Sequence, residues 1–152
     1  MIVSQADWQT TLVRLSLAIV AGAVIGLERE LDDKPAGLRT HMLVSLGAAV
    51  FILIGIQNNT AQESTDSISR IIQGITAGVG FLGAGEIFNQ VKQSGEVKVQ
   101  GLTSAAAIWV SASLGVAIGC GLWTIGLFGA IATFIILRVA KRWEGKIKSN
   151  RK

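Results

Sequence analysis

Between Val99 and Leu137 the chain runs for 39 residues without an Asp, Glu, Lys or Arg. One bilayer crossing takes about 20 apolar residues in a helix, so this run holds two spans and a reversal. Gly119-Cys120-Gly121 is the natural turn, because glycine accepts backbone angles that other residues avoid. A chain with such a hairpin is not a small soluble enzyme. Half of its 152 residues are hydrophobic and 16% are charged, against about a quarter in soluble domains. Too little interior exists at this length to hide that surface from water. Cys120 is the only cysteine, which excludes an intrachain disulfide framework.

The remaining spans are read outward from that hairpin. Thr40 to Gln62 is another uncharged run, its apolar part ending near Gln57-Asn58-Asn59. Leu15–Leu27 and Ile71–Gly85 are shorter. They reach span length if Arg14 and Arg70 extend their stems to the interface. The first is not expected to be a cleaved signal, because Arg14 leaves only Leu15–Val20 as apolar core before Ala21-Gly22-Ala23. The fold class expected is an all-α membrane protein. Its five helices fall at about 9–29, 39–57, 70–90, 102–119 and 121–139 within a transmembrane domain of residues 1–139. A basic tail follows at 140–152.

Charge sets the orientation. Seven of the fourteen Lys/Arg follow Leu137, against Glu144 alone. With the N-terminus outside and the C-terminus cytoplasmic, Arg29, Lys34, Arg39, Lys92, Lys98 and those seven all face the cytoplasm, as the positive-inside rule requires. The tail suits anionic lipid better than nucleic acid, for which no basic surface interleaved with aromatics exists.

Small residues recur four apart in Gly22/Gly26, Gly74/Gly78 and the stripe Ala107, Ser111, Gly115, Gly119. Such spacing lets helices cross closely, within the chain or between copies in a homo-oligomer. A faint repeat relates Gly22-xxx-Gly26-x-Glu28 to Gly80-xxx-Ala84-x-Glu86, and Gly37-Leu38-Arg39-Thr40 to Gly101-Leu102-Thr103-Ser104. It brings one polar cluster to the cytoplasmic ends of the first four helices: Glu28, Arg29, Gly37, Arg39, Thr40, His41, Gly83, Gly85, Glu86, Thr103 and Ser104. Arg39 is expected to be its pivot, paired through its bidentate guanidinium with Glu28 or Glu86. Glu28, Asp32 and Asp33 are the carboxylates available to a hydrated cation. Arg29 and Lys34 offset them, so the expectation is no metal and no cofactor, with Mg2+ the alternative. No nucleophile–base pair, phosphate loop or zinc spacing appears, so no enzyme is expected.

The segments GLERE at 26–30, AGLRTHMLVSLGA at 36–48, GITAGVGFLGAGEIF at 74–88 and GLTSAAAIWVSASLG at 101–115 resemble the MgtC/SapB family of bacterial inner-membrane proteins. The resemblance covers most of the chain. It implies a five-helix inner-membrane domain with a cytoplasmic C-terminus. Better-known members are linked to growth in low magnesium and to pathogen survival inside macrophages, and some are described as modulators of the F-type ATP synthase. Those carry a soluble domain after the fifth helix, whereas this chain is similar to the shorter branch. Glu86 stands where an apolar residue is expected, and Ser104 where a second threonine is. The function expected is non-enzymatic support of magnesium or ion homeostasis through another membrane complex. The alternatives are a direct ion transporter or channel, with Glu28, Arg39 and Glu86 at its gate, and an oligomeric structural module.

Overall fold

The computed structural model describes residues 7–57, 61–91 and 97–149. The second-loop residues 58–60, Lys92 in the third loop and the terminal Arg151 and Lys152 lie outside them. Five helices appear in chain order: α1 Asp7–Leu31, α2 Leu38–Gln57, α3 Ala61–Glu86, α4 Leu102–Gly119 and α5 Trp123–Ser149. Four of them are long and apolar enough to cross a membrane, over Trp8–Leu31, Leu38–Ile56, Leu102–Gly119 and Trp123–Lys141. The polar first half of α3 keeps it below that threshold.

The helix stops are chemically specific. At the end of α1, Lys34 N–H donates to the Arg29 carbonyl and Asp33 N–H to that of Glu30, with Asp33 left-handed at φ 51°. This is the Schellman arrangement, with aspartate, which tolerates that region, in the usual glycine place. The same pair of bonds closes α4, from Leu122 to Ala117 and from Gly121 to Ile118, with Gly121 at φ 84°. Gly121 is thereby used in the stop, so α5 starts at Trp123 and not at 121.

Two boundaries differ more widely from the sequence reading. Helix α3 begins at Ala61, because the polar segment before Arg70 contains no glycine or proline to break it. It ends at Glu86 instead of residue 90. Phe88–Val91 and Val97–Gln100 form an antiparallel hairpin, Phe88 opposite Gln100 and Val91 opposite Val97. The valines and Phe88 suit a pleated strand better than another helical turn, so a short hairpin connects α3 to α4 in an otherwise helical structure. Helix α5 carries the basic segment onward to Ser149, because nothing in the sequence stops it at 139.

Helix α4 packs against all four other helices. Its small-residue face permits this. A Cβ added at Gly115 would collide with the Ser45 carbonyl, and one at Gly119 would lie 3.1 Å from Ala49 Cα. On α1, a Cβ at Gly22 would reach 2.5 Å from the His41 carbonyl and one at Gly26 2.7 Å from Leu38 Cα. Around these crossings Ala18, Ala21, Ile25, Ala49, Ala107, Leu114 and Ile118 form one buried cluster. Gly74 and Gly78 differ, since a Cβ at either meets nothing within 4 Å. The outward face of α5 is apolar, with Ile125, Phe128, Ile135 and Ile136 exposed, as a lipid-facing helix requires.

Arg14 is held at the end of α4. Its Nη1 donates to the Gly119 carbonyl at 2.9 Å. The last carbonyls of a helix lack partners, and a cation is favoured there by the helix dipole.

Gly115→Leu is expected to destabilise the protein by about 1–3 kcal/mol, the usual range for overpacking a filled contact. Gly74→Ala should leave stability unchanged or raise it. Thermal unfolding of both variants in mild detergent checks the contrast.

Candidate functional site

The polar groups that the structure brings together lie where the end of α1, the start of α2 and the first half of α4 meet. Glu28 and Arg29 are each only 4% exposed. Arg29 Nη2 donates to Ser104 Oγ at 2.9 Å, and its Nη1 lies 3.8 Å from Glu28 Oε2. A guanidinium taken from water needs such partners. Arg29 Nε and Glu28 Oε2 nevertheless make no hydrogen bond among the described residues.

One turn into α2, His41 is fully buried. Its Nε2 lies 3.2 Å from the Ala36 carbonyl and its Nδ1 2.8 Å from Ser111 Oγ. A carbonyl can only accept, so Nε2 carries the proton. The neutral ring then accepts the Ser111 hydroxyl proton at Nδ1. His41 thus ties the α1–α2 turn to the middle of α4. Ser45 is also fully buried, and its Oγ has no partner among the described residues.

The turn itself is held by Glu30, whose Oε2 accepts from Leu38 N–H at 2.9 Å. A carboxylate at a helix N-terminus meets both a free donor and a favourable dipole. Gly37 leaves room for it, because a Cβ there would collide with Glu30 Oε2. Beyond the turn, Lys141 of α5 forms an ion pair with Asp32. The ammonium, hydrogen-bonded to Asp32, holds its carboxyl below the ordinary 3.8.

Several residues read from the sequence stand elsewhere. Arg39 and Thr103 are exposed, and Thr40 is half-buried. Among the described residues no ion pair joins Arg39 to Glu28 or Glu86, so the pivot is Arg29. Glu86 is half-buried at the end of α3, with its Oε1 enclosed and unpartnered. A Cβ at Gly83 would make ordinary contact with Ala105 at 3.5 Å, and one at Gly85 would meet nothing within 4 Å. Asp32 lies beside Glu28 and faces Lys141, whereas Asp33 serves the α1 stop. Among the described residues no three His, Cys, Asp or Glu side chains gather as a metal would need. The signal for Arg29 was present in the spacing. It lies three and seven residues beyond Gly26 and Gly22, on the face those glycines press against α2.

Residues 15–146 match the MgtC family. The chain belongs to that family. It is 46% identical over 145 residues to protein SrpB of Synechococcus elongatus, covering 92% of this chain and 80% of that one. It is 39% identical over 132 residues to the putative magnesium transporter YhiD of Escherichia coli, covering 84% and 59%. Protein MgtC of Salmonella typhimurium is 43% identical over 126 residues, covering 83% and 49%. The chain therefore spans about half to three fifths of the length of the last two. No solved structure is a significant match. The matched region takes in α2, α3 and α4, most of α1 and α5, and every residue of the polar cluster.

Arg29→Ala removes the counter-charge of a buried carboxylate, which typically costs about 3–5 kcal/mol. Arg39→Ala, at an exposed position, should change stability by about 0–1 kcal/mol. Chemical unfolding in detergent separates the two arginines.

The Asp32–Lys141 pair carries a pH signature. A carboxyl with a lowered folded-state pKa stabilises the fold fully above its unfolded value, and that gain disappears as pH falls through the lowered one. Lys141 is 58% exposed, so the gain is about 0–1 kcal/mol. Melting temperature should fall as pH drops below 3.8, and less steeply in Lys141→Ala. A pH series of melting curves on both proteins tests this.

Proposed function

We propose that this MgtC-family chain is a non-enzymatic, five-span protein of a bacterial inner membrane, with its N-terminus outside and its C-terminus in the cytoplasm. In this reading it supports magnesium or ion homeostasis by binding and modulating another membrane complex. Magnesium enters through a relative named as a putative magnesium transporter. The positive-inside bias supports the orientation and the inclusion of α3 as a span.

One observation carries the accessory role over transport. Four polar groups of the core join helices: Arg29 bonds Ser104, and His41 bonds Ser111 and, in the α1–α2 turn, the Ala36 carbonyl. An ion pathway normally presents intramembrane polar groups to a water-filled cavity, whereas Arg29, His41 and Ser111 are each less than 5% exposed. Such a scaffold suits a protein that presents a surface to a partner.

Direct transport is favoured by a different observation. Glu28 Oε2 and Glu86 Oε1 are enclosed without hydrogen-bond partners among the described residues, as a proton or cation carrier would require.

Purified protein in sealed liposomes, followed with a magnesium-sensitive dye and a proton-sensitive dye, distinguishes the two. Leak-level flux, together with capture of one membrane complex by cross-linking in native membranes, is expected. Saturable flux that disappears in Glu28→Gln and Glu86→Gln would overturn the accessory role.

A further inference from the structure

We propose that the cleft between α2 and α3 holds an acyl chain of a membrane phospholipid, whose headgroup, a phosphate bearing a primary amine, sits between Arg39 and Glu86. This rests on the five-span reading, which places α3 in the bilayer.

The cleft has a volume of about 650 Å³, within the range of about 300–1,000 Å³ usual for small-molecule sites. Leu43, Gly47 and Phe51 form one wall, and Gly74, Gly78 and Leu82 the other. No charged side chain lines it. Gly55 abuts Ile71 at one end, so α2 and α3 run antiparallel, and their cytoplasmic ends flank the other.

The glycines have no explanation within the chain. Glycine weakens a helix interior. At Gly22, Gly26 and Gly115 a neighbouring backbone requires it, but a Cβ at Gly47, Gly74 or Gly78 meets nothing within 4 Å. Their missing side chains are the volume of the cleft.

Charge complementarity selects the occupant. Residues four apart stack on one helix face, so Arg39 lies one turn beyond Leu43 on the α2 wall, and Glu86 one turn beyond Leu82 on the α3 wall. Arg39 is exposed, Glu86 keeps a buried Oε1 without a partner, and no ion pair joins them among the described residues. A guanidinium matches a phosphate as a donor fork, and a carboxylate accepts from an ammonium. A headgroup carrying both charges answers both walls at once. One lacking the amine leaves Glu86 facing an anion.

The test is native mass spectrometry of the protein extracted in mild detergent, after equilibration with bilayers of phosphatidylethanolamine, phosphatidylglycerol or phosphatidylcholine. Phosphatidylcholine keeps the charges but has no N–H to donate. One retained phosphatidylethanolamine per chain is expected, with the other two lipids retained less. Arg39→Ala and Glu86→Gln should each weaken retention about tenfold, the loss of one charge-assisted hydrogen bond. Gly78→Leu should abolish it by filling the cleft, whereas Gly80→Leu, also unopposed at Cβ but outside the lining, should not. Equal retention of all three lipids, or retention indifferent to Gly78→Leu, would overturn the proposal. So would a lipid-free dimer cross-linked through a cysteine at position 78. Aqueous labelling of a cysteine at position 77, in a Cys120→Ser background, reads the span itself. Labelling there overturns the five-span reading along with the site, whereas protection there with unselective retention overturns the site alone.

Discussion

Backbone contact between α1, α2 and α4 is the constraint on which the other features depend. Within a bilayer, lipid tails are as apolar as the helices, so apolar burial does not drive helices together as it does in water. Close approach and cross-helix hydrogen bonds take its place. Gly22, Gly26 and Gly115 bring backbones to distances that no Cβ allows, and Gly119 to one that a Cβ would crowd. Only at those distances do Arg29 reach Ser104 and His41 reach Ser111. The polar cluster follows from the glycines, and its geometry would dissolve with a small separation of the helices.

Seen this way, the cluster is first an architectural device. Arg29 and His41 specify one rotation of α1 and α2 against α4, because any other would leave a charge or an imidazole in hydrocarbon without partners. Membership of the MgtC family and the four long apolar helices join this packing to a membrane setting. The use of Arg29, His41, Ser104 and Ser111 in scaffolding moves attention to the outer surfaces, where Arg39 is exposed.

Much of this was legible in the residues. The uncharged run from Val99 to Leu137 fixed the α4–α5 hairpin and its turn, and the glycine spacing marked the contact faces of α1 and α4. The choice of Arg39 over Arg29 failed for a physical reason. Two arginines ten residues apart look alike by depth, and only the rotations of α1 and α2 against each other, set where Gly22 and Gly26 meet α2, decide which one turns inward. Glu30 was not singled out, because its role requires α2 to begin directly in front of it. The hairpin at 88–100 escaped because two four-residue strands give too short an alternation to compete with the apolar helix before them. It also explains the faint repeat. The two halves differ in the length of their connection, and the longer one is filled by those strands. Gly101 then turns the chain into α4 at φ 92°, where a Cβ would collide with the Glu86 carbonyl.

Among the described residues, three long-range hydrogen bonds share a partner helix. Arg14 is satisfied by Gly119, Arg29 by Ser104 and His41 by Ser111, so every one of them waits for α4. During synthesis α1 and α2 enter the bilayer tens of residues ahead of that helix. A nascent chain halted before residue 102 carries Arg14, Arg29 and His41 with their partners on α4 not yet made. Such an intermediate is an exposed target for membrane proteases or a client for an insertion chaperone. The fourth helix therefore acts as the keystone of biogenesis, and its emergence from the ribosome is the moment at which the earlier helices stop being negotiable.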